Sequence, residues 1–310
     1  MNHTAVLLMA LGGPDSVENV EPYLVDVRGG RPTPPHLIEE IRQRYRLTGG
    51  RSPVLGIMRE VASLLEQRLN AHGSERHRVS IGMRHWHPYI KDAYAELMAE
   101  GPNRLICICM APQYSALSIG AYRKKVEEAR AALGGAFPLS YVESWYRHPG
   151  LIHAIAQNIR DAFKKFPPEI RSTVPIIFTA HSLPERILRM NDPYPEQVHG
   201  TMQSVCAELG SVDARFAYQS QGRSDEPWLG PTVESTIEAL HREGHRHVLI
   251  APIGFLSDHL EVLYDIDIEF RRLAESKGMQ LERMAMLNAD PSLIATLASL
   301  IQEHQASLVG

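Results

Sequence analysis

Four carboxylates, Asp258, Glu261, Asp265 and Glu269, follow one another at steps of three, four and four. On a helix these steps place all four on one face. Ser257, just ahead, suits an N-cap. The neighbours Leu260, Val262, Leu263, Tyr264, Ile266, Ile268 and Phe270 make most of the remaining surface apolar. Like charges on one helix face repel unless cations compensate. On an otherwise buried helix such a stripe would line a cavity and offer a divalent cation a path of hard oxygen ligands. A solvated acidic face is the plainer account, and the pattern alone leaves both open.

A second candidate is His181, directly after the apolar run Val174–Ala180. An imidazole at a strand end can take a proton or a metal near neutral pH. A hydrogen-bonded structural histidine is the alternative, since the chain has 15 histidines. A third group is basic and aromatic: Arg28, Arg31, Arg44-Tyr45-Arg46, Gly49-Gly50-Arg51-Ser52-Pro53 and Tyr122-Arg123. The stretch from Arg28 to Arg51 holds six Arg and no Lys. Guanidiniums beside Ser and Tyr hydroxyls suit carboxylate groups on a ligand. An ordinary basic helix surface would look the same.

These residues need elements to hold them. Short apolar runs, Ala5–Leu11, Val79–Met83, Leu105–Ala111, Leu139–Val142, Val174–Ala180, Phe216–Tyr218 and Val248–Ile253, alternate with stretches of helical period. This is the pattern of parallel sheets covered on both faces. Leu105–Ala111 and Val248–Ala251 each lead through Ala-Pro and a loop into a helix. The repeat predicts two related α/β halves with a cleft between them, and ligands of such folds sit beyond the carboxyl ends of the strands. His181 and Glu261 would both lie there. The prolines of Phe166-Pro167-Pro168-Glu169 mark the expected boundary, giving domains 1–166 and 167–310.

Composition narrows the classes. The 310 residues are 44% hydrophobic and 22% charged, with a net charge of -4, which gives no reason to expect a nucleic-acid partner. No run reaches the roughly 18 apolar residues of a membrane span, and no basic leader precedes Ala5–Leu11, so a cytoplasmic protein is expected. The three cysteines, Cys107, Cys109 and Cys206, are too few for a disulfide framework or for the thiolates of an iron–sulfur cluster. Cys107 and Cys109, two apart in a strand-like run, should share one buried face. Neither G-x-G-x-x-G nor a Walker A sequence is present.

Several strings together carry a resemblance. They are Thr179-Ala180-His181-Ser182-Leu183-Pro184-Glu185, Asn191-Asp192-Pro193-Tyr194-Pro195-Glu196-Gln197, Tyr218-Gln219-Ser220-Gln221-Gly222, Pro227-Trp228-Leu229-Gly230-Pro231 and Ser257-Asp258-His259-Leu260-Glu261-Val262-Leu263-Tyr264-Asp265. Upstream, Leu11-Gly12-Gly13-Pro14, Arg44-Tyr45, Gly49-Gly50-Arg51-Ser52-Pro53 and Val142-Glu143-Ser144-Trp145-Tyr146 add to it. In this order, from about residue 5 to about 290, the sequence resembles the ferrochelatase family.

The resemblance implies two Rossmann-like halves, each a parallel sheet flanked by helices, and insertion of Fe²⁺ into a porphyrin. It implies His181 and Glu261 as the catalytic, metal-handling pair, with Asp265 and Glu269 continuing the acidic line. It further implies porphyrin contacts from Leu11, Arg28, Arg44, Tyr45, Ser52, Tyr122 and His85. Iron is then a substrate, no tightly bound cofactor and no iron–sulfur cluster is expected, and a monomer would suffice. Val27-Arg28-Gly29-Gly30-Arg31-Pro32 with Arg44-Tyr45 looks most like the branch that metallates coproporphyrin III, whose four propionates suit extra arginines. Protoporphyrin IX is the alternative substrate, a Co²⁺ or Ni²⁺ tetrapyrrole chelatase the alternative enzyme, and a tetrapyrrole carrier the alternative outside catalysis. Leu11 departs from relatives of that branch, which often carry a Tyr there that can ligate product iron; Leu11 cannot ligate a metal.

Overall fold

The computed structural model describes residues 3–71 and 75–307. It contains two four-stranded sheets, and every strand pair in both is parallel. The strands are β1 (His3–Ala10), β2 (Arg76–Met83), β3 (Arg104–Cys109) and β4 (Leu139–Val142) in one sheet. The other holds β5 (Ile176–His181), β6 (Ala214–Gln219), β7 (His247–Ala251) and β8 (Gln280–Arg283). Spatial order is β2-β1-β3-β4 in the first and β6-β5-β7-β8 in the second. The two orders correspond strand for strand, as the repeated strand–loop–helix pattern predicts.

The chain divides into two compact units. One is formed by the chain up to Trp145 together with the segment from Asn288 on, the other by Tyr146–Leu287. The expected boundary at 166/167 therefore needs correction, and packing gives the reason. Helix Pro149–Phe163 buries Leu151, Ile155 and Ile159 within the second unit, against helix Tyr194–Leu209 and β7. Phe166 is buried edge-on to His247 at the start of β7, with ring centroids 5.9 Å apart. The two prolines thus mark a turn inside the second unit. The last helix, Pro291–Ser307, returns to the first unit and packs on helix Val54–Asn70.

In the first unit β1 is buried from His3 to Met9, as a central parallel strand should be, with Ala10 half-buried at its end. One core contains Ala5, Leu7 and Met9 of β1 and Leu105, Cys107 and Cys109 of β3, packed on Ile90, Tyr94, Leu97, Ile119 and Val126. Cys107 and Cys109 do share a buried face, and burial pushes both thiols up in pKa. Edge strand β2 has three of its outward backbone groups taken by side chains. Asn70 accepts from His77 N–H at 2.8 Å and donates to His77 C=O at 2.9 Å, and Glu66 accepts from Val79 N–H at 2.7 Å. In the second unit Ile177 of β5, Ala217 of β6 and Val248 and Ile250 of β7 share a core with Val262, Ile266 and Phe270. Among the described residues no helix is long and apolar enough to cross a membrane.

Candidate metal-insertion site

His181 is the last residue of β5, and its own sheet fixes its backbone. Ser182 N–H donates to Gln219 C=O at 2.8 Å, and Tyr194 Oη donates to His181 C=O at 2.9 Å. Gly254 comes up beneath it, donating its N–H to Thr179 C=O at 3.1 Å. A Cβ on Gly254 would lie 2.7 Å from Ala180 Cβ, so only glycine lets this loop approach. His181 Nδ1 contacts the Ser182 carbonyl, which can only accept, so Nδ1 carries hydrogen and Nε2 points elsewhere.

Glu261 opens the helix expected from the carboxylate spacing. The helix is real but of another kind: Glu261–Phe270 is a π-helix, with i→i+5 bonding. A turn that closes between four and five residues still keeps positions four apart on one face. The line Glu261, Asp265, Glu269 survives, running from half-buried through buried to exposed. Asp258 needs correction. It lies before the helix and pairs with Arg283 at 3.4 Å, off the line. Asp265 is 6% exposed and accepts from Ser220 Oγ at 2.6 Å. Gln219 ties the pieces together: it accepts from Thr179 Oγ1 at 2.7 Å and donates to Glu261 C=O at 3.0 Å.

His181 Nε2 lies 3.2 Å from Glu261 Oε1, so two residues 80 positions apart in sequence meet at the carboxyl ends of the strands. His259 Nε2 lies 3.5 Å from the other oxygen, Oε2. Burial alone would lower the His181 pKa, but the Glu261 carboxylate outweighs it and raises the ring to about 9. Burial likewise opposes the charge on Glu261, and His181 overcomes it, holding the carboxyl well below its usual range. The resting pair is therefore imidazolium and carboxylate. The sign is testable by following the His181 ring by NMR: it should deprotonate near pH 9 in the native protein. In Glu261→Gln, with burial opposed only by the Ser182 carbonyl and Asp265, its pKa should fall well below that of the native ring. A native midpoint near 6.5 would refute the coupling.

In the first unit Leu11 follows β1 directly and is exposed. Around Leu11–Pro14 gather three more of the sequence-predicted contacts. His85 N–H donates to Leu11 C=O at 3.0 Å, and Ser52 N–H donates to Pro14 C=O at 2.8 Å. A Cβ on Gly13 would lie 2.5 Å from Ser52 Oγ and 3.7 Å from Tyr45 Oη. His85 Nδ1 is 2.6 Å from Asp26 Oδ1, yet burial lowers its pKa overall. Asp26, Arg84, His85, Trp86 and Tyr89 line a cavity of about 1070 Å³. The remaining predicted contacts sit on other elements. Arg28 ends helix Val20–Val27, and Arg44 pairs with Glu40 at 3.1 Å on helix Pro35–Leu47. Tyr122 is buried in the first unit's core, with the Arg84 guanidinium 5.9 Å from its ring centre.

Sequence reasoning passes over His259, Gln219, Ser220, Tyr194 and Gly254. All but Gly254 stand in the strings quoted above; none carries a periodic signal of its own. Among the described residues, no three His, Cys, Asp or Glu side chains form a ready-made metal-holding group.

A family model described as Ferrochelatase matches residues 3–305. A ferrochelatase of Herpetosiphon aurantiacus is 41% identical over 298 residues, covering 96% of this chain and 98% of that relative. A coproporphyrin III ferrochelatase of Geobacillus kaustophilus is 37% identical over 304 residues, covering 97% of this chain and 96% of that relative. Among solved structures, SirB from Bacillus subtilis with Fe³⁺ superposes with a TM-score of 0.61 at 11% identity, covering 98% of this chain and 95% of that one, a likeness of fold alone. A family match over nearly the whole chain, with relatives this close, makes the chain a member of the ferrochelatase family, the lyase-class metal chelatases that insert iron into porphyrin in haem biosynthesis.

Proposed function

We propose that the chain inserts Fe²⁺ into coproporphyrin III, with His181 and Glu261 as the catalytic pair. The observation that carries the assignment of the pair is the 3.2 Å contact between His181 Nε2 and Glu261 Oε1 at the head of a line of carboxylates. Fe²⁺ enters along Glu269, Asp265 and Glu261, which offer oxygen ligands. It competes with the proton on His181 Nε2 and, on reaching Glu261, displaces it to solvent along the same carboxylates. When the metal passes to the macrocycle, the neutral Nε2 is free to take a pyrrole proton, as general-base work requires. The second pyrrole proton leaves through the carboxylates. Leu11, Arg28, Arg44, Tyr45, Ser52, His85 and Tyr122 contact the porphyrin or its propionates, and that remote binding supports bending of the ring. Leu11 supplies an apolar contact and no iron ligand. No resident cofactor takes part, and the protein acts in the cytoplasm as a monomer.

Two things support the coproporphyrin III reading: the arginines Arg28, Arg31 and Arg44, and relatives named for that substrate. Other relatives are named only ferrochelatase, which keeps protoporphyrin IX as the competitor. Anaerobic assays with both porphyrins separate them. We expect kcat/KM for coproporphyrin III to exceed that for protoporphyrin IX by at least about tenfold, the equivalent of one charge-assisted contact. Equal values, or the reverse order, would overturn the assignment.

A further inference from the structure

The segment from Asp258 to Glu269 carries five carboxylates, Asp258, Glu261, Asp265, Asp267 and Glu269, with no Lys or Arg between them. A cation reaches it from β8. Arg283 meets Asp267 fork to fork, Nε to Oδ1 and Nη2 to Oδ2, both at 2.9 Å. Its Nη2 also lies 3.4 Å from Asp258 Oδ1, and its Nη1 donates to Met284 C=O at 3.0 Å. The side chain is 14% exposed, and guanidinium keeps its charge at any working pH.

We propose that Arg283 is a positioning residue that confines the iron path: its guanidinium fills the Asp258–Asp267 pair as a fixed internal cation and leaves Glu261, Asp265 and Glu269 to the metal. The inference rests on the acidic line being the route of Fe²⁺. Two carboxylates converging on one cation are the arrangement that a divalent ion accepts from oxygen ligands. With Arg283 in place that pair is closed to metal. Without it, Asp258 and Asp267 would be left with a charge that only another cation can answer, and Fe²⁺ held there would be off the path. The fork also joins the segment before the π-helix to its middle, which holds Glu261 at the helix start.

The test counts ions on the full-length protein by Mn²⁺ titration with electron paramagnetic resonance. Arg283→Met should bind one more Mn²⁺ per chain than the native protein. Its KM for Fe²⁺ should rise by about tenfold, with kcat within about twofold, because an ion held at Asp258 and Asp267 repels Fe²⁺ entering the neighbouring carboxylates and so weakens its binding. The uncharged triple variant Asp258→Asn/Asp267→Asn/Arg283→Met should return the ion count and KM to native values. A folded Arg283→Met with an unchanged ion count, or with kcat lowered at constant KM, would overturn the proposal. If Arg283→Met does not fold, Arg283→Lys decides: native count and KM are expected, and an extra ion or a collapsed kcat overturns it. Should the native protein insert no iron, the route itself fails, while the ion count still reports on Arg283 separately.

Discussion

His181→Ala is expected to lower kcat for iron insertion by about 10²–10⁴, the range of a lost general base, while porphyrin affinity stays within about threefold. The ring stands at the end of β5, and its Nδ1 is already committed to the Ser182 carbonyl, leaving Nε2 for both proton and metal. Alanine removes both roles and leaves the fold's hydrogen bonds to the backbone of residue 181 in place. Glu261→Gln keeps the shape but removes the charge that holds the ring protonated and draws Fe²⁺ inward. It should raise KM for iron as well as lower kcat. Because the two side chains act as a unit, the double variant should be worse than the poorer single by only about twofold to threefold. Anaerobic absorbance of the metallated product gives the rates, and porphyrin fluorescence gives the affinity. A His181→Ala protein at native rate would end the assignment, and additive losses would show that the pair does not work together.

The second large effect is expected far from any charge. Gly254→Ala should destabilise the fold by about 1–3 kcal/mol, as overpacking does in a closed core. It should also slow insertion by about 10²-fold through misplacement of the reacting groups. Replacing glycine by alanine normally stabilises by about 0.4–1 kcal/mol through the unfolded chain. Here the clash wins. The new methyl would sit 2.7 Å from Ala180 Cβ and 2.8 Å from Ala180 Cα, and Ala180 is fully buried, one residue before the end of β5. Nothing flexible can give way except the strand end that carries His181. Ala180→Gly in the same chain removes the nearest of those atoms and should restore part of both stability and rate. Thermal unfolding and single-turnover insertion would check it, and an unperturbed Gly254→Ala would show that the loop has room.

These expectations depend on how far the sequence could be read. The apolar runs located seven of the eight strands, and Leu139–Val142 coincides with β4. The eighth, β8, was invisible because Gln280-Leu281-Glu282-Arg283 buries only Leu281 fully, and an edge strand needs no apolar run. The prolines after Phe166 looked like a linker because local chain stiffness and a domain border leave the same trace. Only the packing of helix Pro149–Phe163 tells them apart. Carboxylate spacing predicted a helix and its acidic line, yet spacing of four fits an α- and a π-helix alike, so the wider turn could not be foreseen. Asp258 seemed part of the line until Arg283, 25 positions later, was seen to hold it. His259 was passed over because its role depends on a 3.5 Å approach to Glu261 that no periodicity encodes. The charge state of His181 is illegible in the sequence for a related reason: a pKa is set by the partner in space, and Glu261 lies on another element.

The side chains along β2 bear on behaviour at high concentration. A parallel sheet ends in a row of open peptide groups, and such a rim is a template onto which a foreign strand can zip. Asn70 meets one residue of that rim with both its donor and its acceptor, so its amide imitates the neighbouring strand that is absent. Glu66 covers the next outward N–H and adds negative charge. The rim therefore offers an incoming chain neither group of His77 nor the N–H of Val79, and this margin of the molecule is guarded against self-association by two residues of one helix.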